Sequence, residues 1–389
     1  LMGVKYIVMN DREENAQKRQ KAQLLASGYE LCCEKDGVQI YQNGDVAPIG
    51  YVTDRVITQD VYEALPFPYN QIALEYFAVA GTSSGKKKTA DPQAEAETIK
   101  AQLSECVREI SVFFPEENGN IIPAGGGKTG TYSENAYSKV LYNEEEAAGD
   151  SEKSRNSSEN RKRKNIHSEN AESKVEYYRA DSLYVNTKKA RTIQVPTDGT
   201  DAFEQPWVLY LQFTVKNAHP SSDLTISVEG VQNKLSASTH LYKNENTVFT
   251  YAVPMQAGQG EIEMTFGQGE YELMDVTCFA KQETGQEAER SGAETEDRPY
   301  GDGKQTGWMP DDRQTKGNVI TGTVCAKETS WFVTSIPYDE HFEVLIDGIH
   351  TVPGLVNMTF LGFRIPGGEH TVTFIYHAPG LTEGKTLAL

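Results

Sequence analysis

Residues 337–350, PYDEHFEVLIDGIH, set carboxylates and two histidines around an apolar run, and the reading of this stretch decides the fold. Either it is a metal or acid/base site, or it is a strand with polar edges. Alternation favours the strand: Phe342, Val344 and Ile346 fall on one face and Glu343, Leu345 and Asp347 on the other. Asp347-Gly348 then supplies the residues that a two-residue hairpin turn requires. A metal site would need three or four of these side chains within about 2.0–2.2 Å of one point, a convergence that strand alternation does not provide. The segment EHTVTFIYH (369–377) behaves in the same way: Val372, Phe374 and Tyr376 share a face, Pro366-Gly367-Gly368 forms the preceding turn, and His370 stands at the strand's start. No metal or cofactor is expected here.

Further out, strand-like runs dominate. WVLYLQFTV, LTISVEGV, TVFTYAVP, EIEMTFG and YELMDVTCFA follow one another from Trp207 onward, separated by Gly, Asn or Pro, as in an antiparallel β-sandwich. TSWFVTSIP, FEVLIDG, MTFLGFRIP and GEHTVTFIYH make the last seventy or so residues β as well. Near the start, Val38 and Ile40 alternate with Gln39 and Tyr41 after the turn signal Asp36-Gly37, which predicts a small sheet with a hairpin. One helix is expected, in DPQAEAETIKAQLSECVREI: Asp91 can cap, Pro92 takes the first helical position, and Ile99, Leu103, Val107 and Ile110 recur at helical spacing.

These elements predict a mainly β chain of antiparallel β-sandwich domains with a small α/β N-terminal part. The expected organisation is a small α+β region over 1–115, a polar insertion over 116–182, a β-sandwich over 183–280, a linker over 281–316 and a C-terminal β domain over 317–389. Within the insertion SENAYSKV (133–140) returns as SENAESKV (168–175), and two copies do not make a solenoid. Residues 143–170 between them carry too little apolar surface to offset the entropy of ordering and are expected to be flexible. The basic cluster RKRK (161–164), flanked by acids, reads as solvated linker.

Charge and motifs narrow the function. The 389 residues carry 56 Asp and Glu against 37 Lys and Arg, a net charge of −19 whose field repels nucleic acid and anionic headgroups. No run approaches the length of a membrane-spanning helix, and the chain, opening on Leu1 with no signal peptide, reads as a fragment. GGGKTG (125–130) is not a phosphate loop, because Ile122 stands where the motif needs its first glycine. The five cysteines (Cys32, Cys33, Cys106, Cys278, Cys325) have no ligand-like spacing and read as packing residues. Exposed aromatics are the remaining candidates, since sugars stack on Trp or Tyr faces while carboxylates and amides take their hydroxyls: Trp207, Trp331 and Tyr338 are the candidate glycan-binding residues, with core packing as the competing role.

SIPYDEHFEVLIDG (335–348), followed by TFLGFRIPGGEHTVTFIYHAPG (359–380), resembles the C-terminal extracytoplasmic region of the YfhO family of bacterial multi-pass membrane proteins. LMGVKYIVMN (1–10) and GVQIYQN (37–43) are similar to the family's other segments. One departure is His341-Phe342, where the family has Gly-Trp. The resemblance implies an extracytoplasmic, non-catalytic region on the cell membrane, ending just before a membrane span. It would support glycosyl transfer from a lipid-linked sugar to a cell-envelope glycopolymer such as a teichoic acid, the catalytic carboxylate lying elsewhere in the full-length enzyme. Its implied partners are its own transmembrane domain and that glycopolymer or lipid-linked sugar. Without the membrane context, the same strands and aromatics fit a free-standing carbohydrate-binding or adhesive β-sandwich protein.

Overall fold

A computed structural model of the chain describes residues 4–10, 21, 23–25, 27–44, 46, 48–81, 91–115, 120–124, 129–131, 141–142, 176–282 and 307–380. The expected flexible stretch 143–170, both copies of the repeat, the basic cluster 161–164, residues 125–128 of GGGKTG and 283–306 of the linker lie outside the described residues. The chain is mainly β, with several antiparallel sheets and few helices. It divides into two compact units, Glu109–Ala280, and Leu1–Arg108 together with Lys281–Leu389.

The unit Glu109–Ala280 is a β-sandwich. One sheet is ordered Val248–Met255, Trp207–Asn217, Gly269–Gln282, Ser182–Thr187, Ile121–Ala124; the other is ordered Arg191–Pro196, Glu261–Phe266, Leu224–Val228, Val231–Leu235. Period-two alternation makes each sheet apolar on one side. Leu209, Leu211, Phe213, Phe249, Tyr251 and Leu273 from the first sheet meet Ile193, Ile226, Val228, Ile262 and Met264 from the second in one core. LTISVEGV, which reads as a single strand, is a hairpin: Val228 pairs with Val231 across Glu229-Gly230, both at positive φ (50° and 81°). Glutamate is not a usual residue for that turn, which hides it from sequence reading. Here the Glu229 carboxylate is buried and accepts from Glu263 N (2.8 Å).

In the second unit, the segments on either side of 109–280 share sheets. Gly50–Thr53 pairs with Ser330–Pro337, which continues through Phe360–Ile365 and Gly354–Val356 to Ala78–Ala80 and the parallel Val56–Thr58. A second sheet is ordered Met309–Pro310, Val319–Ala326, Gly368–Tyr376, Phe342–Ile346, Ile349–Thr351. Phe332, Leu361 and Phe363 of the first sheet pack with Val344, Val372 and Phe374 of the second, and Trp308 sits edge-on to Phe374 with ring centroids 5.3 Å apart. Tyr6–Asn10, Val38–Gln42 and Glu30–Lys35 form the small sheet, its hairpin turning at Asp36-Gly37 (φ 52° and 77°).

The expected helix is Pro92–Leu103, with Asp91 accepting from Gln93 N at 3.1 Å, and two shorter helices, Gln59–Ala64 and Tyr69–Ala73, precede it. It stops before the end of the apolar stripe: the Ser104 hydroxyl donates to Lys100 O (2.7 Å), and Val107 lies in the strand Val107–Glu109. The cysteines require a correction. Cys278 alone is buried, Cys106 is half-buried, and Cys32, Cys33 and Cys325 are exposed, so three of the five do no packing. A register shift between Leu31 and Cys33 leaves Cys32 outside the ladder, and both faces of that short strand are solvated.

Candidate functional site on the 337–350 hairpin

Phe342–Ile346 pairs on one side with Gly368–Tyr376, Val344 opposite Phe374 and Ile346 opposite Val372, and these four side chains enter the core. On the other side it turns at Asp347-Gly348 (φ 50° and 79°) into Ile349–Thr351, with Ile346 opposite Ile349. The core alternation therefore sends Glu343 and its row to the outer face.

There Glu343 lies between two imidazoles, Oε2 2.8 Å from His377 Nε2 and Oε1 3.3 Å from His350 Nδ1. At the strand's entrance Asp339 Oδ1 accepts from His341 N (2.8 Å) and pairs with His341 Nδ1 (2.7 Å), while the Tyr376 hydroxyl donates to Asp339 Oδ2 (3.3 Å). The His341 amide, followed by its ring, holds the Asp339 carboxyl below the usual range. Loss of solvation, with the Asp339 charge behind it, pushes the Tyr376 phenol up. At the turn, Asp347 Oδ1 accepts from Thr371 N (2.8 Å) and Oδ2 meets His370 Nδ1 (2.7 Å). The other nitrogen of His370 faces Pro366 O at 3.1 Å, so both ring nitrogens lie beside oxygen atoms. The His370 ring, and then the Thr371 amide, lower the Asp347 carboxyl.

Three carboxylate centres, spaced along the hairpin, thus serve four histidines. Among the described residues no group of three or more His, Cys, Asp or Glu has the arrangement to hold a metal ion. Their outward groups are hydrogen-bond donors and acceptors, a set suited to hydroxyl-bearing ligands.

The three aromatic candidates part company. Tyr338 is 40% exposed and next to Asp339 in the chain, and its amide donates to Thr359 O (2.9 Å), just before the strand Phe360–Ile365. Trp331 is half-buried on the other sheet, with the Arg364 guanidinium 5.6 Å from its ring centre. Trp207 needs correcting as a surface platform: it is 2% exposed, lies in the core of the other unit, and stands edge-on to Phe203 at 5.6 Å. No face of its ring is open for a sugar. None of the carboxylates and histidines grouped here was a candidate from sequence, which read 337–350 as strand and turn; the alternation that puts 343 and 375 on one face was the available signal, but only the register places 377 and 350 beside 343.

Residues 1–388 match the family model described as bacterial membrane protein YfhO. The chain belongs to the YfhO family. No curated protein matches it in sequence. Among solved structures, the N-terminal CBM22-1-CBM22-2 tandem domain from Paenibacillus barcinonensis Xyn10C is similar at 8% identity and a TM-score of 0.19, over 68% of the YfhO-family chain and 89% of that one. No helix among the described residues of this YfhO-family chain is long and apolar enough to cross a membrane.

Proposed function

We propose that this YfhO-family chain is an extracytoplasmic, non-catalytic region that presents a cell-envelope glycopolymer to its own transmembrane domain, which transfers sugar from a lipid carrier. The observation that carries this reading is the 337–350 hairpin, which bears the exposed Tyr338, the Asp339–His341 pair and, on its outer face, the His377–Glu343–His350 group. An aromatic face with donors and acceptors around it meets both sides of a sugar ring, its C–H face and its hydroxyl edge. YfhO-family membership supplies the membrane context.

The test uses the full-length membrane protein in cells. Tyr338→Ala and Glu343→Gln should each lower the sugar content of the envelope polymer, read by NMR of extracted polymer, at unchanged protein level. Trp207→Phe should leave it as it was. Unchanged modification in both hairpin variants would overturn presentation by this face. Tight glycan binding by the 389-residue chain alone would favour a free-standing carbohydrate-binding protein.

A further inference from the structure

In the unit Glu109–Ala280, the loop between Val231–Leu235 and Val248–Met255 carries Leu241 and Tyr242 at 86% and 89% exposure. Bare apolar side chains on a loop need no explanation when the loop is loose, but this one is pinned. Asn244 Oδ1 accepts from Ser236 N (3.0 Å) and Asn246 N (3.2 Å), and its Nδ2 donates to Lys234 O (2.7 Å). Asp223 Oδ1 accepts from Ala237 N (2.7 Å), Ser238 N donates to Pro220 O (2.7 Å), and His240 N donates to Ala237 O (3.0 Å). The fold therefore meets the entropic cost of ordering this loop while its two largest apolar groups stay in water.

We propose that residues 236–247 form a membrane-contact loop, with Leu241 and Tyr242 entering the headgroup–acyl boundary of a lipid bilayer. The occupant follows from size. Two side chains of this kind offer roughly 300–400 Å², about half of the ~800 Å² per partner of a stable protein interface. A bilayer sets no such minimum: a leucine in the acyl region with a tyrosine at headgroup level is how amphipathic surfaces seat themselves. Charge plays little part, because Lys243 is paired with Glu245 (2.8 Å) and Lys234 with Asp223 (2.6 Å), in a chain of net charge −19. Attachment is thus apolar, to an uncharged lipid surface, and insensitive to salt. The inference rests on membership of a membrane-protein family and is independent of glycan presentation.

The test places a reporter on the tip. In the whole 389-residue chain, Tyr242→Trp should show emission that shifts to the blue on addition of phosphatidylcholine vesicles and is quenched by brominated lipid beyond the wild type, whose three tryptophans are the control. Raised salt should change neither. The double substitution Leu241→Ser and Tyr242→Ser should lower vesicle partitioning about five-fold or more, since the apolar area is what partitions. Both positions are solvent-exposed, so unchanged circular dichroism verifies folding. Quenching of Tyr242→Trp no greater than wild type, equal partitioning of the double variant, or concentration-dependent dimerisation abolished by the same substitutions would each overturn the proposal.

Discussion

Lys281 Nζ lies 2.6 Å from Glu75 Oε2, across 206 residues of sequence, with the lysine side chain 8% exposed and the glutamate 43%. The lysine also stands over the Tyr76 ring at 5.8 Å from its centre. An almost buried ammonium is tolerated because a carboxylate faces it. The pair fastens the chain where it re-enters its unit after residues 109–280.

Removing the carboxylate should hurt more than removing both charges. Glu75→Ala is expected to cost about 1–3 kcal/mol, below the range for fully buried pairs because Glu75 is partly solvated. Glu75→Ala with Lys281→Met should recover most of that loss, since a thioether tolerates burial. Urea unfolding measures both; an additive or worse double variant would show that the ion pair is not what the site needs.

The same substitution at two glycines should fail for different reasons. Gly348 has φ 79° and nothing within 4 Å of a built Cβ, so Gly348→Ala strains the backbone alone, at about 1–2 kcal/mol. At Gly362 a Cβ would meet Val356 Cγ1 at 2.5 Å and Phe332 O at 2.7 Å. Gly362→Ala must push two strands apart and should cost about 1–3 kcal/mol or more. Asparagine at 348 should restore much of the loss, as it tolerates positive φ; at 362 it should be worse than alanine.

Asn357 acts as a piece of backbone. Its side-chain oxygen accepts from Val79 N (2.8 Å) and its own amide donates to Val79 O (2.7 Å), in a residue 4% exposed with φ 48°. Asn357→Ala leaves the buried Val79 amide unsatisfied and puts alanine in the left-handed region, for about 2–4 kcal/mol together. Asn357→Asp should be milder, since it keeps the acceptor. Equal losses in thermal unfolding would contradict that account.

Acid should weaken the hairpin through Asp347. Its folded carboxyl is held low by the His370 ring and the Thr371 amide, so its contribution is fully present above the unfolded value of about 3.9 and is lost as pH falls through the folded one. The stability advantage of wild type over Asp347→Asn should therefore be constant near neutrality, shrink below about pH 4 and vanish in stronger acid. A difference that stays the same down to the acid limit would mean that the carboxylate charge is not what stabilises the turn.

Local chemistry alone determined a good deal of this protein. Asp347-Gly348 and Asp36-Gly37 specify their turns because positive φ is costly for most residues, and Asp91-Pro92 specifies a helix start because a cap and a missing N–H both suit that position. Alternation in 342–346 and 369–377 fixed which side chains enter the core, and so the mainly β class. Pairing across long separations was not legible. Nothing in Gly50–Thr53 names Ser330–Pro337 as its neighbour, since ladder hydrogen bonds are made by backbone groups common to every residue. The site shares that limit: Glu343 was visible as an outward carboxylate, but its placement between His377 and His350 is a matter of register, and Trp207 became core only when a second sheet covered it. Sequence fixes turns, caps and faces because they depend on neighbours in the chain; the tertiary structure decides who meets whom, because that depends on which apolar faces close on one another and exclude water.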